Sequence, residues 1–142
     1  MTRLVVIESP YGGNVELSLR YLRACMAAAL ERGEAPFASH GLYTQPGVLC
    51  DNVPAERDRG IAAGFAWRTV AEATIVYTDL GISNGMRLGI DHAESMSNPV
   101  EYRTLGWPWN DDGISIDYKL NATDDLQTSR WGETDVRRAV VR

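Results

Sequence analysis

A chain of 142 residues, 44% hydrophobic and 23% charged, has the size and composition of one soluble globular domain with one core. Its formal net charge of −5 argues against a duplex-binding module, which would carry a basic stripe, but leaves room for small anions held by backbone amides. Cys25 and Cys50 form neither a disulfide framework nor a CxxC or zinc motif, and the longest apolar stretches are too short to span a bilayer.

The first predicted element is a strand over Leu4 to Ile7, a continuous apolar and β-branched run suited to burial on both faces of a parallel sheet. It begins almost at the initiator methionine with no leader before it, and both cysteines read as ordinary thiols of a reducing compartment. The expected location is therefore cytoplasmic, with no membrane partner. Ser9-Pro10-Tyr11-Gly12-Gly13-Asn14 breaks the strand, and Asn14 is placed to N-cap the next helix. In that helix Val15, Leu19, Leu22, Met26 and Ala29 recur at helical spacing, with Glu16, Arg20 and Arg23 turned outward, and Gly33 stops it. Pro36-Phe37-Ala38 predicts a short second strand. The stretch from Ser39 to Val53 lacks periodicity and predicts a long loop, more often functional than decorative in a compact domain.

Pro54 suits the first turn of a helix running through Ile61, Phe65 and Trp67. A third strand over Ala73 to Thr78 centres on Ile75, Val76 and Tyr77. The turn from Asp79 to Gly85 then opens a helix that includes Met86, Ile90 and Ala93. Asn98-Pro99 ends this helix before a fourth strand, Val100 to Tyr102. Strands alternating with helices predict an α/β fold, a small Rossmann-like doubly wound parallel sheet over residues 1–105. Residues 106–142 read as a Trp-containing C-terminal extension in which Trp107, Pro108 and Trp109 clamp one edge of the domain. Alternation of Ile114, Ile116 and Tyr118 allows a late edge strand, and the polar end from about Thr123 is expected to be disordered or used in assembly.

Open parallel sheets bind ligands outside the carboxyl ends of their strands, which selects the loops at Glu8 to Asn14, Ser39 to Tyr43 and Asp79 to Gly85, and the neighbourhood of Arg103. Gly12 and Gly13 before a helix suit an anion cradle, but the loop is neither GxGxxG nor a Walker loop, and a well-capped tight turn explains it as well. Ser83, Asn84 and Gly85 bring a hydroxyl, an amide and backbone N–H groups to the start of a helix, where simple N-capping is the plainer alternative. Glu8 stands directly after four apolar strand residues, where a charge is costly unless paired or functional. A structural ion pair to Arg57 or Arg103 is the competing explanation. Asp79 is placed to cap its turn or hold a ligand hydroxyl, and Glu56 and Asp58 suit a solvated helix face with Arg57 and Arg59. His40, beside Ser39, makes no triad by sequence adjacency alone, and His92 reads as an exposed helix residue. Tyr11, Tyr43 and Tyr77 are candidates to stack on a base or close a pocket. Aromatic residues more often belong to the core, an explanation that fits Tyr11 and Tyr43, in loops, less well. No cluster has metal-ligand spacing, so neither a metal nor another cofactor is expected.

The run Val5-Val6-Ile7-Glu8-Ser9-Pro10-Tyr11 resembles the first strand and loop of nucleoside 2-deoxyribosyltransferases and their nucleotide-hydrolase relatives. Asp79 through Ala93, with Ser83-Asn84-Gly85-Met86, is similar to the stretch where that family carries its catalytic Asp and nucleophilic Glu, and Pro99-Val100 matches its closing strand. The run from Glu8 to Arg103 is most similar to an uncharacterised group of deoxyribosyltransferase-like proteins of phages and actinobacteria. The resemblance implies an enzyme acting at the sugar C1′, in which a carboxylate displaces the base and a second base or water resolves the glycosyl-enzyme. Aligning Gly85-Met86 with the family's Gly-Thr puts Ser83 at its Asp and Gly89 at its nucleophile, so the usual nucleophile is missing.

The expected function is therefore a nucleoside or nucleotide N-glycosidase or transferase with Glu8 as nucleophile or general base and Asp79 orienting the sugar. Ser9, Tyr11, Gly12, Gly13, Ser39, His40, Tyr43, Ser83, Asn84, Gly85 and Met86 would bind the small-molecule nucleoside or nucleotide. The alternatives are a non-catalytic nucleotide-binding protein, for sensing or sequestering, and an assembly protein using the Trp-rich tail. The relatives often complete their sites across a dimer, so the resemblance also implies a homo-oligomer.

Overall fold

The computed structural model describes residues 2–105 and 109. Four strands, β1 (Arg3–Glu8), β2 (Glu34–Phe37), β3 (Ala73–Tyr77) and β4 (Val100–Arg103), form one all-parallel sheet in the order β2-β1-β3-β4. The helices are α1 (Val15–Glu31), the short α2 (Ser39–Leu42), α3 (Pro54–Arg68) and α4 (Asn84–Ser95). The chain leaves β1 for β2 on one side and then crosses back over β1 to β3. With right-handed crossovers, that reversal puts α1 on one face of the sheet and α3 and α4 on the other. The result is the small, Rossmann-like, doubly wound α/β fold expected from the alternation of elements.

Central strands of such a sheet are covered on both faces, and the residues obey that demand. Every residue of β3 is buried, and Val5, Val6 and Ile7 of β1 are at most 5% exposed. On the α4 side, Met86 and Ile90 pack on Val76, with Val100 at the margin. Helix α1 starts where expected, because the Asn14 side chain accepts a hydrogen bond from the Leu17 N–H. It ends at Glu31, before Gly33 takes φ of +84°, a conformation that costs a residue with a Cβ.

Several expectations shift. The buried stripe of α1 is Ser18, Tyr21, Leu22, Cys25 and Ala29, and Val15 is exposed. Strand β2 begins earlier, at Glu34, because its register to Arg3 continues the ladder back past Pro36. The stretch after Ala38 opens with one helical turn, α2, rather than remaining loop throughout. In α3 the inward position near the end is Arg68, 2% exposed, while Trp67 is 49% exposed. Ile61, Phe65 and Arg68 follow the i, i+4, i+7 spacing of one helix face, whereas Trp67 lies a residue off it.

Arg103, Glu34, Arg3 and Glu101 form an ion-pair network on the α1 side. Arg103 grips Glu34 with two hydrogen bonds of 2.7 Å, and Arg3 bonds both Glu34 and Glu101. The suggested clamp at Trp107 and Pro108, the late edge strand at Ile114 to Tyr118 and the polar end from Thr123 lie outside the described residues. Among the described residues, no helix is long and apolar enough to cross a membrane.

Candidate active site

The crossover reversal beside β1 opens a crevice at the carboxyl ends of β1 and β3, the place where open α/β sheets bind ligands. A cavity of about 360 Å³ lies there. From the β1 loop it is lined by Glu8, Ser9, Tyr11 and Gly12, and from the segment after β2 by Ser39, His40 and Tyr43. The start of α4 contributes Ser83, Asn84, Gly85 and Met86. Gly13 lies instead on an adjoining hollow, which shares Tyr11 and Gly12 with the first.

Asp79 is not among the lining residues, and its surroundings explain why. Its carboxylate accepts the Tyr21 hydroxyl at 2.6 Å and the Leu105 N–H at 3.1 Å, while its own N–H donates to Tyr21 at 2.9 Å. The group expected to orient a sugar thus ties α1 and the chain after β4 to the end of β3. The neighbourhood of Arg103 is likewise committed to the ion-pair network with Glu34.

Glu8 enters the cavity as the last residue of β1, its side chain directed to the face that carries α3 and α4. Its partner is neither Arg57 nor Arg103 but Arg68, whose Nη2 donates to Glu8 Oε2 at 2.7 Å. Arg68 also donates from Nε to Thr74 Oγ1 at 3.0 Å and from Nη1 to His92 Nδ1 at 2.9 Å. His92 is therefore no free surface residue. It stacks on Phe65 with ring centroids 3.8 Å apart, and burial together with the Arg68 cation holds its pKa below the ordinary value. A neutral His92 presents the lone pair that Arg68 needs.

Two forces act on the Glu8 carboxyl. Burial disfavours its anion and Arg68 favours it, and burial wins, lifting the pKa to about 7. The group thus sits near the midpoint of titration at neutral pH, where a carboxylate serves as nucleophile or proton acceptor. His40 is the opposite case. Burial lowers its pKa to about 4, so it is neutral at physiological pH, and its Nε2 shares a hydrogen bond of 2.8 Å with Ser9 Oγ. The sequence placed His40 beside Ser39, but the fold pairs it with Ser9.

Two glycines shape the wall. A Cβ on Gly64 would stand 2.7 Å from Ser39 Oγ, and one on Gly89 would overlap the Glu8 carboxyl group. At the mouth, Asp51 lies 3.8 Å from Arg57 Nε, and Glu56 Oε1 accepts the Cys50 N–H at 2.8 Å. Glu56 and Arg57 are thus cavity-mouth residues, not only a solvated helix face. Ser83 caps α4 by accepting the Met86 N–H at 3.2 Å, so simple N-capping does account for its hydroxyl, while Asn84 and Gly85 form the first turn beside the cavity. Among the described residues, no three His, Cys, Asp or Glu side chains are arranged to hold a metal ion.

Arg68 and His92 are the functional candidates that the sequence did not reveal. A signal for Arg68 existed in its spacing from Ile61 and Phe65. For His92 none did, because the partners of its side chain, Phe65 and Arg68, stand on another helix. Residues 3–103 match a family described as a domain of unknown function, DUF7768. No curated protein and no solved structure matches the chain.

Proposed function

The chain belongs to the DUF7768 family, and we propose that its domain is a nucleoside or nucleotide N-glycosidase, or a transferase of the same chemistry, acting at the sugar C1′. One observation carries this reading: a carboxylate of near-neutral pKa, Glu8, lies in the sheet-edge cavity directly against Gly89. The resemblance to deoxyribosyltransferases assigns the nucleophile to position 89. Here a carboxylate reaches that wall from β1 instead of from α4.

In the proposed reaction the Glu8 carboxylate attacks C1′ as the C1′–N bond breaks, and the bonding pair leaves on the base nitrogen, which takes a proton from solvent. Water, or a second base, then attacks C1′ as the bond from C1′ to the Glu8 oxygen breaks, and the proton lost by the attacking water or base returns to solvent. Tyr11 and Tyr43 offer ring faces to the base, and Ser9, Asn84 and Gly85 offer hydrogen bonds to the sugar or a phosphate. His40, neutral throughout, acts as a hydrogen-bonding group and not as a charge.

The test is a thermal-shift screen of nucleosides and nucleotides, with chromatography of each hit for free base. A ligand at a hundred times its dissociation constant stabilises the fold by about 2.7 kcal/mol. Glu8→Gln is expected to retain that shift and lose base release by at least about a hundredfold, because the amide keeps the shape but not the nucleophile. The anion is the reactive form, so wild-type release should rise with pH through about 7 and level off above it. Full turnover by Glu8→Gln would end its assignment.

The ion pair between Glu8 and Arg68 also favours a second reading, a nucleotide-binding protein without turnover, since a carboxylate committed to a buried cation can be structural. Stabilisation by a nucleotide with no base released from any candidate would establish that alternative.

A further inference from the structure

Resting on the glycosidase reading, we propose that the Glu8 carboxylate is held in a two-sided seat: Arg68 is the positioning residue that clamps it from α3, and Gly89 is the position on α4 that must remain without a side chain. Arg68 is itself built in from three directions. Its Nε is anchored on Thr74, which donates to Asn98 Oδ1 at 2.6 Å, and Asn98 in turn donates from Nδ2 to the Ala71 carbonyl at 3.0 Å. Its Nη1 is anchored on His92, and its guanidinium carbon lies 5.6 Å from the centre of the Phe65 ring. That leaves Nη2 aimed at Glu8 Oε2 at 2.7 Å, with the guanidinium unable to swing away.

The opposite side of the seat is set by Gly89. An added Cβ there would fall within 2.7 Å of Glu8 Oε1 and closer still to the rest of the carboxyl group, so any larger residue pushes the carboxylate off Arg68. Gly89 is buried inside α4, where glycine disfavours the helix relative to alanine, so close approach is the physical reason for it. Other titratable and charged groups line the same cavity. They are Tyr11 from the β1 loop, His40 from α2, Tyr43 just after α2, Asp51 from the loop before α3, and Glu56 and Arg57 from the first turn of α3. Of these, none is hydrogen-bonded to Glu8.

The experiment compares wild type with Arg68→Lys, Arg68→Gln and Gly89→Ala by two readouts. The first is the pH dependence of kcat and KM for base release. The second is titration of the Glu8 carboxyl by carbon NMR in ligand-free protein, assigned with Glu8→Gln. Removing a contacting cation raises a carboxyl pKa, so Arg68→Gln should move both midpoints up by about one pH unit, with Arg68→Lys between it and wild type. Gly89→Ala should do the same with the cation still in place, and should lower kcat at least about tenfold with KM nearly unchanged.

Midpoints that stay within about 0.2 of a pH unit of wild type in Gly89→Ala and Arg68→Lys would overturn the seat, even if activity fell. Circular dichroism and melting curves check that each variant is folded. If Arg68→Gln does not fold, the other two decide. The NMR arm needs no substrate. Wild type that releases no base would therefore sink the glycosidase reading while the titration still tested the seat.

Discussion

Asp79 shows how a single hydroxyl can reassign a carboxylate. Tyr21 both donates to Oδ1 and accepts from the Asp79 N–H, and burial together with this contact pushes the tyrosine pKa up, so the phenol stays protonated. Tyr21 is fully buried, so replacing either partner weakens or removes a buried hydrogen bond. Asp79→Asn and Tyr21→Phe are each expected to destabilise by about 1–3 kcal/mol in urea unfolding. Because they act on one pair, the double variant should lose clearly less than the two single losses added together. Simple additivity would show that the pair does not act as a unit.

At the scale of elements, α4 does two jobs with two faces. Met86 and Ile90 bury against Val76 and fix the helix to β3, while Ser83 to Met86 and Gly89 form a wall of the cavity. Ile90 is 0% exposed, so Ile90→Ala is expected to cost about 2–5 kcal/mol by denaturant unfolding. A loss well below 1 kcal/mol would mean that α4 is not fixed through this contact. Helix α3 divides its labour similarly. It carries Arg57 at the mouth, Gly60 and Gly64 along the wall, and Arg68 at the floor, so the cavity follows the helix for most of its length.

For the molecule as a whole, the Arg3, Glu34, Glu101 and Arg103 network links β1, β2 and β4 from the α1 side. Arg103 first, then the neighbouring Arg32 and Arg3 cations, hold the Glu34 carboxyl below its ordinary pKa against the effect of burial. A depressed carboxyl pKa adds stability that is present above the unfolded value of 4.5 and disappears as pH falls through the folded value. Arg103→Ala leaves the buried Glu34 anion short of its closest partner, so about 3 kcal/mol should be lost at pH 7. Part of that loss should vanish below the folded pKa of Glu34, where the wild type has lost the same interaction. Urea unfolding at pH 7 and in acid measures both, and a loss that does not change with pH would remove the network from the account.

Sequence periodicity and punctuation determined which segments are strands and helices and where most of them start. Buried parallel strands read as short apolar runs, and Asn14, Gly33, Pro54, Ser83 and Asn98-Pro99 act locally, through caps and forbidden dihedrals. The strand-end rule likewise brought Glu8, Ser9, Tyr11, His40 and Ser83 under consideration without knowledge of any contact. Tertiary structure alone decided their partners. Glu8 and Arg68 are 60 residues apart, Ser9 and His40 are 31 apart, and Tyr21 and Asp79 are 58 apart. Each pairing depends on sheet order and helix rotation, which no local pattern encodes. The same holds for the glycines, since Gly89 becomes meaningful only when β1 delivers a carboxylate to the place its side chain would fill.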